Sequence, residues 1–301
     1  MRIASLLPAG TEIAGRLGLA GDLVGVTFEC DEPAGIRSRV PVVVDTALRG
    51  SGGEPAPAEI DAVVRERAAA GLPLYDLDRA TLAAADPELI LTQDLCAVCA
   101  LPGATVAQAQ AEIGTRARVL SLDPHRLGDV LDAITAVGDA AGVPDRASVL
   151  VGELRARLDA VAAAVPDAPS PRVLMLEWTD PPFVPGHWVP DLVTAAGGVP
   201  VAAVPGGRSV AVDWDALSGP GAEPVDLVLV APCGFGLDDA RSQAEAVLDR
   251  LPAGVPVWAV DSASYVVRAG PRLVDGVEAI ASALHPGAVP APPPGRVARV
   301  R

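Results

Sequence analysis

Short apolar segments alternate with longer ones whose apolar residues recur every three to four positions, from the first residues almost to the last. RIASLLP at 2–8 is followed by TEIAGRLGLAG at 11–21 and LVGVTFE at 23–29. The series continues with ELILTQ at 88–93, a helical pattern over 104–113, RVLSL at 118–122 and a helical pattern over 127–141. Unbroken apolar runs of this length are what strands covered on both faces require, and the helical spacing between them supplies the crossovers of βαβ units. Thr11, ahead of the first helical pattern, is placed as its N-cap.

A second series of the same kind occupies the rest of the chain: RVLMLEW at 172–178, a helix over 189–196, DLVLVAP at 226–232, a helix over 238–251, VPVWAVD at 255–261 and a helix over 273–284. Between the two series, RASVLVGELRARLDAVAAAV at 146–165 reads as one long helix bounded by Pro144 and Pro166. The expected architecture is α/β, with two Rossmann-like lobes of parallel sheet, 1–143 and 168–287, and a bridging helix at 144–167. The stretch ALRGSGGEPAP at 47–57 reads as a surface loop ahead of a helix at 58–70, and the proline-rich residues 288–301 as a flexible tail. The cleft between lobes is the default binding site of such a layout.

Composition narrows the chemistry. Of 301 residues half are hydrophobic but only 3% are aromatic, so aliphatic side chains must do most of the packing and clustered aromatics stand out. A formal charge of −15 with no clustered basic surface argues against nucleic acid and against an anionic membrane surface. Every basic residue apart from histidine is arginine, which removes pyridoxal Schiff bases and GxxxxGK nucleotide loops from consideration. The N-terminus has neither the apolar core of a signal peptide nor a membrane-spanning run, so the expectation is a cytoplasmic protein with no membrane insertion.

All four cysteines follow strand-like segments: Cys30 after LVGVTFE, Cys96 and Cys99 after ELILTQDL, Cys233 after DLVLVAP. The carboxyl ends of parallel strands form the ligand crevice, so the four could converge on one metal ion or iron–sulfur cluster. A C-x-x-C spacing also serves redox pairs, and buried cysteine is often only a small hydrophobe. LEWTDPPFVPGHWVPDL at 176–192 holds two of the four tryptophans, and its prolines point to a rigid loop presenting Glu177, Trp178, Phe183, His187 and Trp188. Glu177 and His187 are the candidates for proton transfer or for contacting a ligand; of the other histidines, His125 follows a strand and His285 ends a helix. Glu29 beside Cys30, together with Tyr265 and Arg268 after the last strand, completes the candidate lining, the arginine as an anchor for an anion.

SLLPAGTEIAGRLGL, LYDLDRATLAAADPELILTQ, RVLSLDPHRLGDVLDAITAVGDAAG and AGPRLVDGVEAIASALHP together resemble the cobalamin- and siderophore-binding proteins of ABC importers, the class III solute-binding fold. TFECD at 27–31, TQDLCAVCA at 92–100, EWTDPPFVPGHWVPDL at 177–192, PCGF at 232–235 and SYVVRAGPRL at 264–273 are similar to a subgroup labelled cobalamin-binding proteins, which lacks an export signal. Phe28 stands where that subgroup usually has a histidine. The resemblance implies a small-molecule binder holding cobalamin or a related metallo-cofactor between Trp178, Phe183, Trp188 and Tyr265, while the missing export signal counts against an ABC permease as partner. The alternatives left open by the residues are an enzyme using a cysteine-bound metal or iron–sulfur cluster in the same cleft and a redox sensor built on Cys96 and Cys99.

Overall fold

A computed structural model of the chain describes residues 1–46, 56–93, 116–165 and 169–301. These divide into two compact units, Met1–Pro124 with Asp129–Gly152, and His125–Gly128 with Glu153–Arg301.

In the first unit six strands, β1 (Ile3–Ser5), β2 (Leu23–Thr27), β3 (Val42–Thr46), β4 (Tyr75–Leu77), β5 (Leu89–Thr92) and β6 (Arg118–Ser121), form one sheet in the order β4-β3-β2-β1-β5-β6. All pairings are parallel except β3 with the edge strand β4. The central strands β1 and β5 are buried at every position, as the unbroken apolar runs require. Helices α1 (Pro8–Arg16), α2 (Pro57–Ala69), α3 (Arg79–Ala85) and α4 (Leu127–Ala140) are described alongside them. One expectation changes here. The first helix begins at Pro8 with Leu7 as its N-cap, because proline's fixed φ and missing N–H suit the first helical position. Thr11 therefore lies inside the helix, its hydroxyl 3.4 Å from the Leu7 carbonyl and 3.0 Å from Cys30 Sγ. The helical pattern over 104–113 and most of the 47–57 loop lie outside the described residues.

The long helix α5 (Pro144–Ala164) contributes its first half to the first unit and the remainder to the second. Its Arg157 is held between Glu278, at 2.8 and 2.7 Å, and Asp275, at 2.5 Å. The hydrogen bonds it donates to Glu278, reinforced by the one to Asp275 and by the charges of both carboxylates, raise the arginine's pKa above its ordinary value despite partial burial.

The second unit carries a five-stranded sheet of β7 (Arg172–Leu176), β10 (Val199–Val201), β12 (Leu227–Val230), β13 (Val257–Val260) and β14 (Val297–Arg299), in the order β10-β7-β12-β13-β14. Its core holds Leu174, Leu176, Val228, Val230 and Val257 at no more than 1% exposure. At about 25 cal/mol per Å², each such side chain contributes on the order of 2 kcal/mol of burial energy. The tail departs from the flexible segment expected for 288–301: Val297–Arg299 pair antiparallel with Trp258–Val260, closing the open edge of β13. A three-stranded antiparallel sheet, β8 (Trp178–Thr179), β9 (Pro182–Val184) and β11 (Val210–Ala211), replaces the irregular loop expected of the proline-rich segment. Pro182 is accommodated as the first residue of its strand, where its carbonyl still accepts from Val212 N at 3.0 Å. Five helices complete this unit: α6 (Val189–Ala195), α7 (Trp214–Ser218), α8 (Leu237–Ala246), α9 (Ser262–Tyr265) and α10 (Leu273–Leu284). No helix among the described residues is long and apolar enough to cross a membrane.

Candidate functional site

From β7 the chain passes to β10 on one side, whereas from β12 it passes to β13 on the other; β7 and β12 are neighbours. The carboxyl ends of such a pair flank the crevice where open α/β sheets bind ligands. The residues leaving β7 there are Glu177 and Trp178, and those leaving β12 are Ala231 to Phe235.

The two strand ends are tied by backbone bonds, Ala231 N to Leu176 O and Cys233 N to Glu177 O, both 2.9 Å. Trp178 and Phe235, each half-buried, pack with ring centroids 5.7 Å apart at 51°. Phe183 lies directly opposite Trp178 across the β8–β9 ladder. Cys233 and Gly234 are exposed beside them. In a chain with so few aromatics, three meeting at one strand end form a distinct apolar platform. Phe235 was not named as a site residue; its sequence signals were its place just after an apolar strand and its membership of the PCGF segment.

Glu177 is 8% exposed, and the Ser209 hydroxyl donates to its Oε2. Burial pushes its pKa up to about 7, against the opposing pull of the Ser209 hydrogen bond. The Ser209 hydroxyl also accepts from Gly186 N at 3.2 Å. Gly186 is required there, since a Cβ would lie 2.4 Å from Ser209 N and 2.5 Å from the Gly207 carbonyl oxygen. His187 follows with φ 48°, in the left-handed region, its N–H donating to Gly207 O at 2.6 Å and its carbonyl accepting from Gly206 N at 2.9 Å. Its ring stands 6.3 Å from that of His125 and 5.9 Å from that of Trp188. Desolvation, then the charges of His125 and Arg208, lower its pKa.

Other candidates take different places. Trp188 is 6% exposed with Nε1 donating to Val266 O at 2.8 Å, which makes it a support for the 266 loop and not part of an open platform. Tyr265 lies beneath the Arg296 guanidinium, 5.1 Å from ring centroid to carbon, and Arg268 is half-buried in the following loop. Glu29 and Cys30 belong to the first unit. Glu29 is half-buried, while Cys30 is 1% exposed with Sγ 3.0 Å from Thr11 Oγ1 and 3.2 Å from Thr27 Oγ1, the surroundings of a core thiol. Near it a cavity of about 650 Å³ has a mixed wall, with Phe28, Ile36 and Val42 beside Asp31, Arg37 and Asp45. Cys96 and Cys99 lie outside the described residues, and among the described ones no three His, Cys, Asp or Glu side chains come together as metal ligands.

The family model for periplasmic binding proteins matches residues 76–259, more than half of the chain. The chain belongs to this family. Solved structures of periplasmic binding proteins share its fold: a periplasmic heme-binding protein from Pseudomonas aeruginosa is 22% identical with a TM-score of 0.71, covering 99% of this chain and 97% of its own. The vitamin B12 binding protein BtuF of Vibrio cholerae is 18% identical with a TM-score of 0.67, covering 94% and 98%, and the heme-binding protein HutB of the same organism is 20% identical at 0.66, covering 95% and 99%. No curated protein matches the chain.

Proposed function

We propose that this protein is a small-molecule capture protein for a corrinoid of the cobalamin type, seated on the aromatic platform of the second unit. The observation that carries the reading is the Trp178–Phe235 pair at the carboxyl ends of β7 and β12, with Phe183 across the ladder from Trp178. Flat macrocycles bind by burying apolar area against ring faces and edges, and each aromatic partner adds about 0.5–1.5 kcal/mol beyond that area. A cobalamin brings its own axial ligands. A heme takes one from the protein, and beside the aromatic rings the group able to supply it is the Cys233 thiol. The similarity of EWTDPPFVPGHWVPDL and PCGF to the cobalamin-binding subgroup supports the corrinoid over a ferric siderophore.

Equilibrium dialysis of the purified protein against cyanocobalamin, hemin and a ferric catecholate siderophore tests this. Cyanocobalamin is expected to be retained at one equivalent with the tightest dissociation constant of the three. Tighter retention of hemin or of the siderophore assigns the platform to another ligand class.

A further inference from the structure

Arg208 is exposed and makes no hydrogen bond or ion pair among the described residues. Asp191, in the same unit, is already engaged: it receives Arg126 Nε and Nη2 at 2.8 and 2.7 Å and the Leu127 amide at 3.0 Å. Glu177, one residue from Arg208 through the Ser209 hydroxyl, is buried and presents no full charge near neutrality.

The backbone then brings two imidazoles to the same loop. Val204 N bonds Pro185 O at 2.8 Å, Gly206 N bonds His187 O at 2.9 Å and His187 N bonds Gly207 O at 2.6 Å, so residues 185–187 and 204–207 are clamped together. His125 Nδ1 lies 3.1 Å from the Gly206 carbonyl oxygen, fixing its ring against that loop and 6.3 Å from the His187 ring. His187 is kept in the left-handed region, at a cost of roughly 1–2 kcal/mol for a residue with a Cβ. Its buried Nε2 has no hydrogen-bond partner, so the imidazole keeps bonding capacity that the described residues do not use. Strain of this kind persists where surrounding structure enforces it, and it concentrates at binding sites.

We infer that Arg208, with His187 and His125, binds an anionic oxygen group, a carboxylate or a phosphate carried by the captured ligand. Guanidinium supplies a planar fork of N–H donors suited to either group, and the imidazoles add further donors on the adjoining side. All three residues belong to the second unit, as does the aromatic platform. This deepens the capture reading by giving the ligand's polar part its own contact, yet it can be tested without any corrinoid.

The chain has three histidines, so the imidazole proton and carbon signals of labelled protein are few enough to follow singly. Titration with sodium phosphate, and separately with sodium acetate, at constant ionic strength set by chloride is expected to shift His187 and His125 saturably and to leave His285 still. The anion that saturates at lower concentration names the group. In Arg208→Ala, a change confined to an exposed side chain, the midpoint is expected to rise at least tenfold, with Arg208→Lys between the two. Saturation by neither anion, equal movement of His285, or an unchanged midpoint in Arg208→Ala overturns the inference. Loss of cobalamin retention with the anion response intact would instead count against the corrinoid alone.

Discussion

Gly276→Ala is expected to lower the stability of the second unit by about 3 kcal/mol, at the upper end of overpacking effects. In an exposed helix the same change would be favourable by about 1 kcal/mol, because alanine is the better helix former. Here the sign reverses through contact. Gly276 is buried in α10, and a Cβ at that position would lie 2.1 Å from the Tyr265 carbonyl oxygen and 3.1 Å from its carbon. Both are backbone atoms of α9, so no side-chain rotation relieves the overlap and one helix must move. The displacement reaches the site, since Trp188 Nε1 bonds the neighbouring Val266 carbonyl. Thermal unfolding followed by circular dichroism is expected to show a midpoint lower by about 10 °C, taking 2–4 °C per kcal/mol for a unit of this size. An unchanged or raised midpoint would mean that α9 and α10 are not in this register.

The second large effect is on pH dependence. Glu177, held at about 7 in the folded protein against an ordinary 4.5, keeps its proton where the unfolded chain has released it. The sign follows directly. Below pH 4.5 both states are protonated and the residue has no destabilising effect; stability is then lost as pH rises and is fully lost once the folded carboxyl ionises above 7. Between pH 5 and pH 8 the wild type is expected to lose about 2.5 kcal/mol relative to Glu177→Gln, which cannot ionise and still accepts from the Ser209 hydroxyl. Urea denaturation of both proteins at the two pH values measures it. A difference between wild type and variant that is the same at pH 5 and pH 8 would show that Glu177 is ionised throughout.

The sheet strands were legible because the physics that forms them is local. ELILT, RVLML and LVLV have no polar alternation, and all of Leu89–Thr92 and Leu227–Val230 is buried as a central parallel strand must be. The short elements were not. Val210–Ala211 is an exposed pair of residues that pairs only because the β8–β9 hairpin offers an edge, and Val297–Arg299 follows a proline-rich run yet finds the open side of β13. Both depend on partners distant in sequence.

The site shows the same division. Trp178, Phe183 and Glu177 could be named as candidates because an apolar strand ended just before them, and the topology places that end at a switch between crossovers. Trp188 belongs to the same aromatic-rich segment of sequence, but its indole N–H donates to a backbone carbonyl and the ring is buried. Arg208 and Ser209 gave no signal, because their importance comes from the glycine-dependent approach of residues 186 and 207–209. Cys30 was named from its strand-end position as a metal ligand; its described sulfur contacts are the hydroxyls of Thr11 and Thr27.

The most direct test of the capture reading is quenching of tryptophan fluorescence by cyanocobalamin, compared between the wild type, Trp178→Ala and Trp214→Phe. Trp214 packs against the core of the second unit with Arg250 over its ring and serves as the control. Saturable quenching is expected in the wild type and in Trp214→Phe with the same midpoint, and at about tenfold higher cobalamin in Trp178→Ala, the equivalent of one lost ring contact of about 1.4 kcal/mol. Absence of saturable quenching in the wild type, or an unchanged midpoint in Trp178→Ala, would contradict a corrinoid held on this platform.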